Sequence, residues 1–305
     1  MNKAHRIDCL GLGIMPYDIL FTVPSLPPAG GKVDASSLHT HGGGPVPGVM
    51  VGLTRLGLKC AVIAAVGDDL AGKEMRKELL RENISSKYLV SKKGSSDAAL
   101  GFVEEGSGRR TISLYRGASV KPTDLKLKEY PVPKLIHLDG RDLEACIKLA
   151  RWGKKHRSII TFDIGSIRND VSPIFPFVDH LIVADSFAFP YTGAKNATDA
   201  ITALRRLCLG TVVVTKGVTG ATGCENDSFV RHPAYIVETV DTTGAGDAFH
   251  TGYIFGLLNN QPLAERLKLG SAVAAIKCMK PGARTGLPTA TALNKFLKNA
   301  PVTYV

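Results

Sequence analysis

The ten residues Val240-Asp241-Thr242-Thr243-Gly244-Ala245-Gly246-Asp247-Ala248-Phe249 run into an apolar-periodic stretch, 249–258, that predicts a helix. A glycine-rich loop is thereby set at a helix amino terminus. Gly244, Ala245 and Gly246 carry almost no side chain, so their backbone N–H groups can close on an anion while the helix dipole favours negative charge there. Such a cradle suits the charge that develops during phosphoryl transfer. Asp247 falls in the first helical turn, where its carboxylate can accept the proton of a substrate hydroxyl. An Asp in that place also serves as a plain helix cap, so the position alone leaves both roles open.

Outward from this loop, strand and helix signals alternate. Strands are expected at 7–12, 60–66, 135–138, 158–163, 180–183 and 211–215. Between them, Leu143, Cys146, Ile147 and Ala150 share one helical stripe, and Ile201, Leu204 and Cys208 share another. This alternation predicts an α/β fold in three layers, with helices on both faces of an open, mostly parallel central sheet. Two β-rich segments, 14–41 and 98–118, break the rhythm, the second around a turn at Gly106-Ser107-Gly108. Neither can bury a core alone, so the two read as one small β-strand lid over the carboxyl edge of the sheet, within a single domain spanning 1–305.

Composition narrows the class. A chain of 305 residues with 44% hydrophobic and 21% charged residues reads as a folded soluble protein. Its longest apolar runs, 60–66 and 211–214, fall far short of the roughly 18 residues of a membrane span. Lys3 and Arg6 precede a stretch interrupted by Asp8, Gly11, Gly13 and Pro16, which is no secretory signal. Cys9, Cys60, Cys146, Cys208, Cys224 and Cys278 form no C-x-x-C pair and read as core thiols of a cytoplasmic protein. The net charge of +11 is dispersed: Lys73, Arg76, Lys77 and Arg81 interleave with Glu74, Glu78 and Glu82, a solvated face rather than a nucleic-acid footprint. An anionic small molecule fits that charge better. Trp152 and the tyrosines form no stacking platform. A dinucleotide fingerprint fails because Gly11-Leu12-Gly13 lacks its third glycine and Pro16 follows, and no Walker string occurs.

The string 241–249 resembles the carboxyl-terminal signature of the PfkB, or ribokinase-like, carbohydrate kinases, and the similarity extends over nearly the whole chain. That resemblance implies a ribokinase-like fold, with Asp247 as catalytic base and Gly244, Ala245 and Gly246 as the anion hole. Gly42-Gly43-Gly44, leading into a helix through Arg55-Leu56-Gly57, is similar to the amino-terminal signature, which would set Gly43 and Gly44 against sugar hydroxyls. Asp18 falls where the family places a sugar-binding carboxylate. Thr215, Lys216, Gly217 and Gly220 follow a strand as the family's adenine and phosphate loop does, though the same glycines suit an ordinary hairpin. The segment 275–286, with Ala275, Cys278 and Lys280-Pro281-Gly282-Ala283-Arg284, resembles the one that closes over adenine. The implied reaction moves the γ-phosphate of ATP, with Mg2+, onto a hydroxyl of a small sugar. A nucleoside kinase of the same fold and a noncatalytic sugar sensor are the alternatives. The resemblance further implies K+ beside the anion hole with Asp241 and Thr243 as oxygen ligands, and a homodimer formed through the lid.

Some positions depart from the family pattern. Its sugar-binding Asn is replaced by Gly48, preceded by Pro45 and Pro47. Its Asn-x-x-Glu element, which organises magnesium and its waters, becomes Asp185-Ser186-Phe187-Ala188, leaving Asp185 to serve. The Gly-Gly-Gly-Pro variant together with 280–284 is most similar to the sulfofructose kinase branch, which predicts an anionic acceptor. Lys32, expected on a lid strand, and Arg141, at the carboxyl end of strand 135–138, are the candidates to grip its sulfonate, phosphate or carboxylate. Both also read as ordinary surface or helix-end residues. His39 and His41 alternate on a lid strand without a third metal ligand, and Arg109-Arg110 reads as a solvated turn.

Overall fold

The computed structural model describes residues 7–167 and 170–299, so Lys3 and Arg6 lie outside the described residues. Strand β1 (Cys9–Leu12) is followed by β2 (Tyr17–Val23) and β3 (Ser37–Gly42), then helix α1 (Pro45–Arg55) and β4 (Cys60–Ile63). Next come β5 (Ala65–Gly67), α2 (Leu70–Arg81), β6 (Val90–Lys92) and the hairpin of β7 (Ala98–Glu104) with β8 (Arg110–Tyr115). The alternation resumes with β9 (Leu135–Leu138), α3 (Leu143–Lys155), β10 (Ile159–Ile164), β11 (His180–Ala184), α4 (Asp185–Thr192) and α5 (Ala197–Leu204). After β12 (Thr211–Thr215), β13 (Ala221–Glu225) and β14 (Ser228–His232), helices α6 (Ala245–Leu258), α7 (Leu263–Cys278) and α8 (Ala290–Asn299) close the described chain.

The main sheet has eight strands in the order β14-β13-β12-β11-β10-β9-β1-β4. Pairing is parallel from β12 to β4, and only the β13–β14 edge runs antiparallel. Successive residues of a strand face opposite sides. Leu181, Val183, Val212 and Val214 accordingly join the core beneath α3, α4 and α5, whereas Ile182 and Val213 join the core shared by α1, α2, α6, α7 and α8. Burial on both faces explains why these strands read as continuous apolar runs, each Val or Leu contributing about 1.5–3 kcal/mol.

The two interrupting segments form one four-stranded sheet, β3-β2-β7-β8, as the lid reading expected. Its outer strands, β3 and β8, are largely solvent-facing. The expected strand 60–66 proves to be two: β4 stays in the main sheet, and β5 leaves it at Ala64 to pair with β6. An apolar run cannot reveal such a break, because both pieces are buried. The stripe through Cys208 also ends early, since α5 stops at Leu204 while Cys208 is buried in the connection beyond. Four of the six thiols are buried, Cys60 and Cys278 are half-buried, and all six are free. Among the described residues no helix is long and apolar enough to cross a membrane.

Candidate active site

Parallel pairing puts the carboxyl ends of β1, β9, β10, β11 and β12 on one edge, where open α/β sheets bind ligands. Helix α6 starts at Ala245, four residues earlier than the apolar pattern predicted, so the amides of Ala245 and Gly246 belong to its first turn. Its cap is Gly244, at φ 76° and with no side-chain capping bond. A Cβ there would stand 3.0 Å from both Cβ and the carbonyl oxygen of Ala283, so left-handed backbone and close packing both demand glycine.

Asp247 is not the cap. Its carboxylate has no hydrogen-bond or ion-pair partner among the described residues, and it is partly exposed. Burial, with Asp163 adding its negative charge, raises its pKa to about 6, against the pull of His250, Arg110 and Arg284. A Cβ placed on Gly48 would lie 3.6 Å from Asp247 Oδ2. Glycine at this position therefore leaves the space directly beside this carboxylate open.

Across the cleft, Asp18 of β2 is only 8% exposed, and burial pushes its pKa up to about 7 in spite of Arg284. Asp18 Oδ1 has no partner, and Oδ2 lies 3.8 Å from His41 Nδ1. Gly43 passes so close that a Cβ would fall 2.1 Å from Asp18 Oδ1, which only glycine permits. The Gly43 amide donates to Pro16 O at 2.7 Å. Arg284, 3% exposed, donates to Gly43 O at 2.6 Å and to Glu78 Oε1 at 2.8 Å, while Glu78 Oε2 accepts from Gly42 N at 2.5 Å. The glycine turn is thus held from beneath by a partly buried ion pair.

Three side chains that sequence reading did not single out complete the floor. Asp163, near the end of β10, meets His250 Nε2 at 3.2 Å, and the His137 ring lies 5.3 Å from that of His250. Burial would raise the Asp163 pKa, but His250 holds it below the ordinary range. Two neighbouring carboxyl groups, Asp163 and Asp247, are thereby pushed apart in acidity, the arrangement that separates acid and base roles. His137, Asp163 and His250 each bring one ligand atom within 4.8 Å of the others, a donor set for a transition metal rather than for magnesium. A signal existed: Asp163 sits at the ligand-binding end of a strand, and His250 is one turn beyond Asp247.

The remaining candidates distribute as follows. Thr215 ends β12, and Lys216 N donates to Gly220 O at 2.8 Å, closing a hairpin into β13 with Gly217 and Gly220 at φ 50° and 90°. Ala275 is buried in α7, and Cys278 O accepts from Val240 N at 2.8 Å, tying that helix to the anion loop. Asp241 and Thr243 are both buried, at 3% and 4% exposure. Asp185 opens α4 at the end of β11, its Oδ1 accepting from Ser186 N at 2.8 Å. Arg141 lies two residues beyond Asp139, whose Oδ1 accepts its amide at 3.0 Å and whose Oδ2 accepts from Ile14 N at 2.9 Å. The Arg141 side chain is half-buried and has no side-chain partner among the described residues. Lys32 is not on a strand: it lies exposed in the loop between β2 and β3. Strand propensity misplaced it, because 31–36 pairs with nothing long enough to form a ladder. Arg110 is exposed, as expected, but it opens β8 instead of lying in the turn, and its charge acts on both Asp18 and Asp247. The lid turn also touches the anion loop, where Thr242 Oγ1 donates to Gly108 O at 3.4 Å.

The profile of the pfkB family carbohydrate kinases matches residues 5–290. The chain belongs to this family. It is an ATP-dependent sugar kinase, transferring a phosphoryl group to an alcohol acceptor. A relative, aminoimidazole riboside kinase of Salmonella typhimurium, is 30% identical over 284 residues, covering 84% of this chain and 88% of the relative. Two solved structures share the fold. A putative ribokinase from Agrobacterium tumefaciens superposes with TM-score 0.85 at 22% identity, covering 96% of this chain and 99% of that one. Arabidopsis thaliana ribokinase, complexed with ribose and ATP, gives TM-score 0.82 at 20% identity, covering 96% and 99%.

Proposed function

We propose that Asp247 is the general base of this PfkB kinase, taking the proton of a sugar hydroxyl as the γ-phosphate of ATP moves onto the oxygen. One observation carries this reading: a carboxylate with no partner among the described residues, of raised proton affinity, stands at a helix amino terminus beside the Gly244 and Gly246 amides, while the Ala245 amide donates to Thr242 O at 3.1 Å. The amides of Gly244 and Gly246 receive the negative charge of the transferring group, and the Ala245 amide joins them once it is released from Thr242 O. Asp18 orients the sugar by accepting hydroxyl hydrogen bonds through its unpartnered Oδ1, and the Gly43 and Gly44 backbone fixes the turn around it. Thr215, Lys216, Gly217 and Gly220 flank the nucleotide on one side, Ala275 and Cys278 on the other. Magnesium neutralises the ATP phosphates when bound, and the Oδ2 of Asp185 is free to hold its waters.

The acceptor is a small sugar derivative with an anionic group, of the kind a sulfofructose kinase takes. Support comes from the guanidinium of Arg141, which has no side-chain partner among the described residues at the ligand-binding edge, and from the net charge of +11. A nucleoside-like acceptor is the second reading, favoured by the relative that acts on aminoimidazole riboside. The 305 residues work as one cytoplasmic domain, and two copies pair through the lid, whose free strands expose Leu38, Ile112 and Tyr115. Coupled ADP release across neutral, sulfonated, phosphorylated and carboxylated sugars, with nucleosides included, tests the acceptor. Asp247→Asn should lower turnover at least about a hundredfold while nucleotide binding persists. Unchanged turnover would remove this mechanism, and an Arg141→Ala variant that weakens neutral and anionic sugars equally would remove the anionic acceptor.

A further inference from the structure

Lys277, in the last turn of α7, is 0% exposed. An ammonium withdrawn from water costs several kcal/mol unless opposite charge and acceptors surround it. Its Nζ donates to the Asp241 carbonyl oxygen at 2.6 Å and lies 3.9 Å from Asp241 Oδ2. Asp241 is the first residue of the anion loop, so the charge is held at the root of the cradle. The same helix end fixes that root a second time, through Asp241 N donating to Cys278 O at 3.2 Å. Burial draws the Lys277 pKa down while Asp241 works against it, and Lys277 is the leading influence that holds Asp241 ionised against its own burial.

At the Asp241 oxygens implied for K+ a positive charge is already in place. Asp241 Oδ1 accepts from Thr243 N at 2.7 Å and Oδ2 accepts from Gly282 N at 2.7 Å. The Asp241 carbonyl carries the ammonium, whose charge opposes a second cation at the same oxygens, and the Thr243 hydroxyl is buried without a partner among the described residues. We propose that the Lys277 ammonium is a built-in cation that positions the anion loop, so that this kinase works without added K+. The inference rests on the kinase reading above. Lys277 is a positioning residue: fixed to the Asp241 carbonyl, its charge orients the peptide units that lead into the 244–246 amides and supplies positive potential behind them. A diffusible ion would do this only while bound.

Two measurements at equal ionic strength, in KCl and in tetramethylammonium chloride, test it. The wild-type rate of ADP release and the wild-type melting temperature should be the same in both salts, within about twofold for the rate. Lys277→Met should lower kcat by about tenfold to a hundredfold with a smaller change in the KM for ATP, as expected for disturbed loop donors. Lys277→Ala, which opens space at the Asp241 carbonyl, should melt higher in KCl than in tetramethylammonium chloride and regain part of its rate there. Wild-type activation by K+ above about fivefold, or a K+-specific rise in its melting temperature, overturns the proposal. If the variants do not fold, the wild-type comparison decides alone. If no acceptor is phosphorylated in either salt, the kinase reading fails, and the melting comparison still decides on Lys277.

Discussion

Replacing Asp247 by Asn should inactivate the enzyme and stabilise the protein at once. The folded state raises this carboxyl from its ordinary 3.8 to about 6, so at neutral pH the ionised group opposes folding by up to about 3 kcal/mol. Water reaching the partly exposed carboxylate reduces that to about 1–2 kcal/mol. The sign follows from the direction of the shift. A raised folded-state pKa means that the folded protein binds the proton more tightly, so stability from this group is full below 3.8 and is lost as pH rises through about 6. Asn never ionises and escapes the loss. In a chain of this size each kcal/mol moves the melting temperature by about 2–4 °C, so the variant should melt several degrees higher at pH 7.5 and gain nothing near pH 3.5. Thermal melting of both proteins at the two pH values, beside ADP release, is the assay. A variant that melts at or below the wild-type temperature at pH 7.5 would show a carboxylate already satisfied, and the argument for a poised base would fall.

Three further outcomes are expected. The wild-type kcat/KM should fall on the acid side first through about pH 7, as Asp18 takes up a proton, and more steeply below about pH 6, as Asp247 does, where carboxylates at their ordinary value would hold the rate flat to about pH 4. Asp18→Asn should raise the sugar KM by about tenfold or more with a smaller change in kcat, since a lost substrate hydrogen bond to a charged group is worth about 1.5–3 kcal/mol, and an unchanged KM would take Asp18 out of the sugar site. Arg284→Met should cost about 1–3 kcal/mol in denaturant unfolding, because it leaves the Gly43 carbonyl and the partly exposed Glu78 without their donor, and a loss under about 0.5 kcal/mol would mean the turn is held by other contacts.

Much of the site was legible because its chemistry is local. A glycine loop entering a helix needs no distant partner to be recognised, and Asp247 follows it by a fixed spacing. The anchor of the glycine turn was not legible: Arg284 reaches Gly43 across 241 positions, and no periodicity records such a contact. Asp163 and His250 escaped notice for the same reason, each unremarkable in its own element and meaningful only where β10 and α6 meet. Lys32 was misplaced because strand propensity says nothing about whether a pairing partner is present.

By itself, the order of apolar runs and glycine punctuation determined a layered α/β fold with an interrupting lid, since burial on two sheet faces writes a pattern readable one element at a time. Only the tertiary structure decided the state of the charges. It packed Lys277 against Asp241, set Asp163 beside Asp247 and withdrew Asp18 from water. Those effects depend on distance and desolvation, quantities that exist only once remote parts of the chain have come together.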